Sequence, residues 1–139
     1  MPNTKFFITP IDVRFRDLDA MGHVNNAVFF TYFEEGRKCF FHHITGSSDP
    51  SAFNFILAHI RCDYLRPVKL SDRLSLHMRI SDIGSKRFNL EYRLVNTSDE
   101  SCVYAKGESV QVCFDYKENK TVEVPESLKE KLLEYTETF

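Results

Sequence analysis

The sequence lacks the features of membrane, secreted and nucleic-acid-binding proteins. No apolar run approaches the ~20 residues that a membrane-spanning helix needs, and the start MPNTKFFITP has no basic segment followed by a long apolar one. The net charge is only -2, with 18 Lys plus Arg against 20 Asp plus Glu, so no overall field attracts nucleic acid or an anionic membrane. We therefore expect a soluble, cytoplasmic protein without nucleic-acid or membrane partners.

The sequence also lacks the spacings of metal sites and disulfide frameworks. Its four cysteines are scattered, with no CxxC pair, and its five histidines show no zinc-ligand spacing. Reduced thiols and no metal are expected. There is no repeat, low-complexity tract or linker, and 42% hydrophobic content over 139 residues is enough for a core. One domain spanning residues 1–139 is therefore predicted.

A strand-like segment leads into two acids and then into an apolar helix. Ile11, Val13 and Phe15 alternate with polar residues, which predicts a half-buried strand running into Asp17 and Asp19. From about residue 24 to residue 43, apolar residues recur at three-to-four spacings and fill the other faces too, which predicts a helix enclosed on most sides. Residues 46–50 predict a loop after it.

Four further segments alternate apolar and polar residues, at about 56–65, 74–81, 88–94 and 102–114. Their short, turn-rich connections predict antiparallel pairing, and a change of phase in the last segment predicts a bulge near Gly107. Pro125 begins a short amphipathic helix. The order of elements indicates an α+β domain, with a curved antiparallel five-stranded sheet wrapped around one long central helix. Open sheet edges favour self-association.

The segment at residues 17–26, DLDAMGHVNN, and the aromatic helix after it resemble the hot-dog-fold acyl-CoA thioesterases of the 4-hydroxybenzoyl-CoA thioesterase type. The likeness covers roughly residues 10–115. It implies the hot-dog fold and hydrolysis of an acyl-CoA or acyl-carrier-protein thioester. It also implies a homodimer or homotetramer and no cofactor, since coenzyme A is part of the substrate.

The resemblance places the catalytic carboxylate on Asp19, as a nucleophile or as a general base on water. It places the oxyanion donor on the backbone N–H of Asn26, at the helix start, where unpaired amides and the helix dipole suit a developing negative charge. The alternative for Asp19 is an ordinary capping or surface carboxylate. Asp17 is expected either to form a carboxylate pair with Asp19 or to pair with Arg14 or Arg16.

Four more residues are candidates for the site. His23 is expected to hold Asp19 or the attacking water, with a packing role as the alternative. Asn25 is a candidate substrate-binding residue, although helix capping is the preferred interpretation. Lys86 and Arg87 follow a turn and are candidates to contact the phosphates of coenzyme A. In relatives such loops approach the active site of a partner subunit, and the alternative is solvated charge.

Two other functions are consistent with the same pattern. The domain could bind acyl thioesters without cleaving them, in which case the ligand would stay intact. It could also be a hot-dog dehydratase or hydratase, although the central helix carries no convincing pair of a histidine and an acid for that chemistry.

Overall fold

The predicted combination of an antiparallel sheet and one long helix is confirmed by a computed structural model, which describes residues 4–47 and 54–139. The elements are β1 (Phe7–Ile11), α1 (Asn26–Thr45), β2 (Phe55–Tyr64), β3 (Leu74–Ile83), β4 (Arg87–Asn96), β5 (Val103–Asp115), β6 (Lys120–Thr121) and α2 (Glu126–Leu132). The sheet order is β1-β3-β4-β5-β2, and all pairings are antiparallel. The two-residue β6 extends the end of β5.

The helix α1 begins and ends within two residues of its predicted limits. Asn25 is its N-cap and accepts a hydrogen bond from the N–H of Ala27 at 2.9 Å. Gly46 ends the helix in the left-handed conformation. The predicted loop at residues 46–50 falls in part on residues 48–50, which lie outside the described residues.

The core lies between α1 and the concave face of the sheet. The ring of Phe33 stacks on that of Tyr92, with centroids 4.4 Å apart and planes 8° apart. A Cβ at Gly107 would lie 2.5 Å from the Phe33 ring and 2.8 Å from the carbonyl oxygen of Arg61, so this strand position needs a glycine for α1 to approach. The short helix α2 and the turn after it close one end, where Tyr135 packs edge-on against Phe40 at 5.0 Å.

The predicted bulge near Gly107 is wrong. The pairing of β4 with β5 continues through Gly107 and shifts instead at Tyr104. The apparent change of phase arises because Ser109 and Gln111 are polar yet lie on the buried face of β5. There the Ser109 hydroxyl is hydrogen-bonded to the Tyr92 hydroxyl and accepts the side-chain N–H of Gln111, both at 2.5 Å, which offsets the cost of burying the two hydroxyls.

The first strand is shorter than predicted. It ends at Ile11, and residues 15–17 form a 3-10 turn in which Phe15 is 81% exposed. Asp17 and Asp19 therefore do not follow each other along an extended strand. None of the helices in the described ranges is long and apolar enough to cross a bilayer.

Candidate active site

Asp19 lies in a tight loop between the 3-10 turn and α1. Its N–H donates to the carbonyl of His23 at 2.7 Å, and Gly22 takes a φ of +80° that a residue with a side chain rarely adopts. The Asp19 Oδ1 accepts hydrogen bonds from the N–H groups of Met21 at 2.8 Å and His23 at 3.1 Å. Its Oδ2 has no hydrogen-bond partner among the described residues. One carboxylate oxygen is thus fixed by the backbone, and the other is available for chemistry.

The first turn of α1 leaves one amide without a partner. Asn25 accepts the N–H of Ala27 with its side chain and the N–H of Val28 with its carbonyl oxygen, each at 2.9 Å. The N–H of Asn26 has no partner within the described part of the chain. The positive end of the helix dipole adds to the attraction of this amide for an oxygen with negative charge.

Asp19 and Asn26 line the same cleft, which has a volume of about 300 Å³. The cleft is also lined by His23, Val24, Phe29, Tyr64, Leu65, Arg66 and Pro67. The structure therefore brings together Asp19, His23 and Asn26, three of the residues predicted from the sequence. Tyr64 is the last residue of β2 and Arg66 lies two residues beyond it. Neither was predicted, because no local pattern shows that this strand end meets the start of α1.

The backbone of His23, rather than its imidazole, contacts Asp19. Its N–H and carbonyl both bond to Asp19, and the residue forms an isolated antiparallel bridge with Lys69. Within the described ranges the imidazole makes no hydrogen bond, and the half-buried residue lines the cleft. The main chain of His23, and not its imidazole, therefore holds the Asp19 carboxylate.

Asp17 supports the loop and is not a second cleft acid. Its Oδ2 accepts the hydroxyl of Tyr32 at 2.8 Å and the N–H of Arg14 at 2.9 Å. Its carbonyl oxygen accepts the N–H of Asn25 at 2.9 Å. Burial, and then the hydrogen bond to Asp17, raise the pKa of Tyr32 well above its usual range, so the hydroxyl stays a donor. The expected carboxylate pair and the expected side-chain pair with Arg14 or Arg16 are both absent from the described residues.

Lys86 and Arg87 lie at the other end of the sheet from Asp19. Arg87 pairs with Val112 on β5, level with Ile56 on β2, whereas Tyr64 at the far end of β2 lines the Asp19 cleft. Ile56 and Tyr64 are eight residues apart on β2, which corresponds to roughly 27 Å at ~3.4 Å per strand residue. Arg87 also bonds to Asp82 at 3.0 Å and Asn89 at 2.9 Å. A single chain does not bring this pair to the Asp19 cleft.

A second, larger cavity of about 780 Å³ lies at the end of α1 remote from Asp19. Its lining is mainly apolar and includes Phe41, Ile44, Phe55 and Leu128. It shares no lining residue with the Asp19 cleft and contains none of the predicted site residues. Among the residues that the structure describes, no three His, Cys, Asp or Glu side chains are grouped so as to hold a metal ion.

Comparison with known proteins gives consistent results. The sequence profile of the thioesterase-like superfamily matches residues 13–132. The long-chain acyl-CoA thioesterase FadM of Escherichia coli K12 is 31% identical over 126 residues, which cover 89% of this chain and 95% of that protein. A thioesterase from Thermus thermophilus, solved in complex with coenzyme A and Zn, is 34% identical with a TM-score of 0.81, over 96% of this chain and 97% of that one. A predicted thioesterase from Bacillus stearothermophilus shares the fold, with a TM-score of 0.86 at 24% identity over 94% of this chain and 96% of that one.

Proposed function

The chain belongs to the thioesterase-like superfamily and is an acyl-CoA thioesterase, and we propose that Asp19 and the Asn26 amide carry out the hydrolysis of its thioester substrate. The observation that carries the proposal is that both groups line one cleft while each keeps one bonding position unused. The carboxylate has a free oxygen, and the helix start has a free N–H. Attack on a thioester needs these two functions side by side.

The Asn26 N–H would donate to the carbonyl oxygen of the thioester. The amide is fixed before the substrate arrives, so it needs no reorganisation as negative charge develops on that oxygen. The dipole of α1 adds to the stabilisation because the bond lies at the N-terminus of the helix.

The Asp19 Oδ2 would act in one of two ways. As a nucleophile it attacks the carbonyl carbon, the thiolate leaves, and water hydrolyses the resulting mixed anhydride. As a general base it takes a proton from water while the water oxygen attacks the same carbon. Both routes yield a carboxylic acid and a thiol with water as the second substrate, and neither uses a metal or a redox cofactor.

We also propose that the protein is of the 4-hydroxybenzoyl-CoA thioesterase type, that it accepts acyl-carrier-protein thioesters, and that His23 and Asn25 contact the substrate. We propose a cytosolic location as well, where its four thiols, all free in the structure, would stay reduced.

We further propose a homodimer formed through β2, or a tetramer of two such dimers. β2 pairs only with β5 among the described strands, and its outer edge is open. The strand and the residue after it expose Ile56, Leu57, Tyr64 and Leu65 by 37% to 51%. Two-fold antiparallel pairing of β2 would bring the Lys86–Arg87 turn of one subunit level with the Asp19 cleft of the other. Light scattering should give two or four times 16.3 kDa, and a monomer would contradict the proposal.

The activity is tested by free-thiol release from short, long and aromatic acyl-CoAs and from acyl-carrier-protein thioesters. Thiol release with recovery of the free acid is expected for at least one class. A domain that only binds acyl groups would retain the acyl-CoA intact in an equilibrium binding experiment. A hydratase would instead add water to an enoyl thioester without releasing thiol. Either of these results would overturn the proposed hydrolysis.

A further inference from the structure

The helix start that carries the free Asn26 N–H is held on both sides. On the side before it, the N–H of Asn25 donates to the carbonyl oxygen of Asp17 at 2.9 Å. On the side after it, the hydroxyl of Tyr64 donates to the carbonyl oxygen of Asn26 at 2.7 Å. The Asn26 N–H lies in the plane of the peptide that joins Asn25 to Asn26, and the carbonyl oxygen of that peptide accepts the N–H of Val28 at 2.9 Å. The bonds from Asp17 and Tyr64 anchor the peptides on either side of it, so the three bonds together restrain the direction in which the Asn26 N–H points.

Tyr64 is itself fixed by its surroundings. Its backbone pairs with Ala105 in the sheet, and its ring packs edge-on against Phe29, with centroids 4.9 Å apart and planes at 82°. Desolvation by partial burial, followed by the neighbouring Cys62, raises the pKa of the Tyr64 hydroxyl. The hydroxyl thus remains a hydrogen-bond donor over the pH range in which thioesters are assayed.

We propose that Tyr64 is a positioning residue for thioester hydrolysis, because its hydroxyl anchors the carbonyl of Asn26 and so restrains the adjoining peptide, whose N–H receives the oxyanion. The inference rests on the proposed function, since it requires Asn26 to be the oxyanion donor. Tyr64 acts through Asn26 and not on the reacting carbonyl. Its loss therefore weakens a bond that matters most in the transition state, and it lowers kcat more than it changes KM.

The chain offers a matched control for this test. Tyr116 also donates its hydroxyl to a backbone carbonyl, that of Phe55, at 3.0 Å, but at the opposite end of β2. Tyr64→Phe and Tyr116→Phe each remove one exposed bond of the same type, so their melting temperatures should change by similar amounts. Removing an oxyanion donor costs ~10²–10³-fold, so loosening one should cost about tenfold in kcat for Tyr64→Phe. The KM of Tyr64→Phe, and both kcat and KM of Tyr116→Phe, should stay within about twofold of the wild-type values.

A second measurement separates positioning from substrate binding. An S-alkyl-coenzyme A thioether has no carbonyl oxygen, so its dissociation constant, measured by calorimetry, should be the same for the wild type and Tyr64→Phe. A kcat for Tyr64→Phe within twofold of the wild type would overturn the inference. An equal loss in Tyr116→Phe, or weaker binding of the thioether, would also overturn it.

Asp19→Asn is assayed alongside to separate the two claims. If Asp19→Asn is inactive and Tyr64→Phe turns over at the wild-type rate, only the positioning role fails. If Asp19→Asn turns over at the wild-type rate, the proposed function itself fails.

Discussion

Substitutions at Asn25 should separate the capping of α1 from the chemistry in the cleft. The Asn25 side chain accepts the N–H of Ala27 at 2.9 Å and lies next to the proposed oxyanion donor, Asn26. Asn25→Ala removes the acceptor, which should lower the free energy of unfolding by ~1 kcal/mol. For a chain of this length that corresponds to roughly 3–4 °C in melting temperature. Asn25→Ser restores an acceptor and should recover most of the loss.

Asn25→Asp should behave in the opposite way. Its carboxylate accepts the same N–H and interacts favourably with the helix dipole, so the stability should equal or exceed that of the wild type. Two like charges ~4 Å apart repel by ~1 kcal/mol in water and by ~4 kcal/mol at an effective dielectric constant of 20. The Asp19 cleft is open to solvent, so a penalty of ~1–2 kcal/mol on the developing oxyanion is expected, or about tenfold in kcat/KM.

The assay combines urea unfolding with thiol release for the three Asn25 variants. We expect Asn25→Ala to be the least stable variant and Asn25→Asp the least active one. Asn25→Asp with wild-type kcat/KM would refute the placement of the oxyanion at this helix start. Asn25→Ala with wild-type stability would refute the capping role.

Two further predictions concern the fold. Gly107→Ala should lower the free energy of unfolding by ~2–3 kcal/mol, because the added methyl group would press on the Phe33 ring and on a backbone oxygen. Gly84→Ala meets only the flexible side chain of Arg87 and should change little, so equal losses in urea would contradict the argument. His77 is 4% exposed, and burial lowers its pKa below the ordinary value of 6.5. The unfolded chain therefore binds this proton first, so stability should fall as the pH drops below 6.5, and His77→Gln should lose that component. Parallel stability curves for the wild type and His77→Gln between pH 8 and pH 5 would show the assignment to be wrong.

The sequence pattern correctly predicts those helices and strands in which the apolar residues of the pattern are also the buried residues of the structure. In β4 buried residues alternate with half-buried ones along most of the strand, and in α1 the buried residues recur at three-to-four spacings, so their positions and types follow from pattern alone. The prediction fails where that match is broken. Phe15 continues the apolar alternation of a strand but is exposed in a turn. The polar Ser109 faces the core, where Tyr92 and Gln111 form hydrogen bonds with it.

In the candidate site, the residues that are close together in the sequence could be predicted, and those that depend on distant contacts could not. Asp19, His23 and Asn26 lie within eight positions of one another, so a short motif is enough to name them. Tyr64 bonds to a residue 38 positions away, and its role depends on where the end of β2 meets α1. Which amide of the first turn stays unpaired likewise depends on how Asn25 uses its two oxygen atoms, and this is a matter of geometry.

The most direct test of the central claim is the turnover of Asp19→Asn on the best acyl-CoA. The amide retains an oxygen that can accept the N–H groups of Met21 and His23, so the loop should keep its shape and the melting temperature should stay close to that of the wild type. Asp12→Asn is the control, because Asp12 is exposed and has no hydrogen bond or ion pair with the other described residues. We expect a loss of ~10³-fold or more in kcat for Asp19→Asn and none for Asp12→Asn. Undiminished turnover by Asp19→Asn would show that Asp19 does not carry out the hydrolysis.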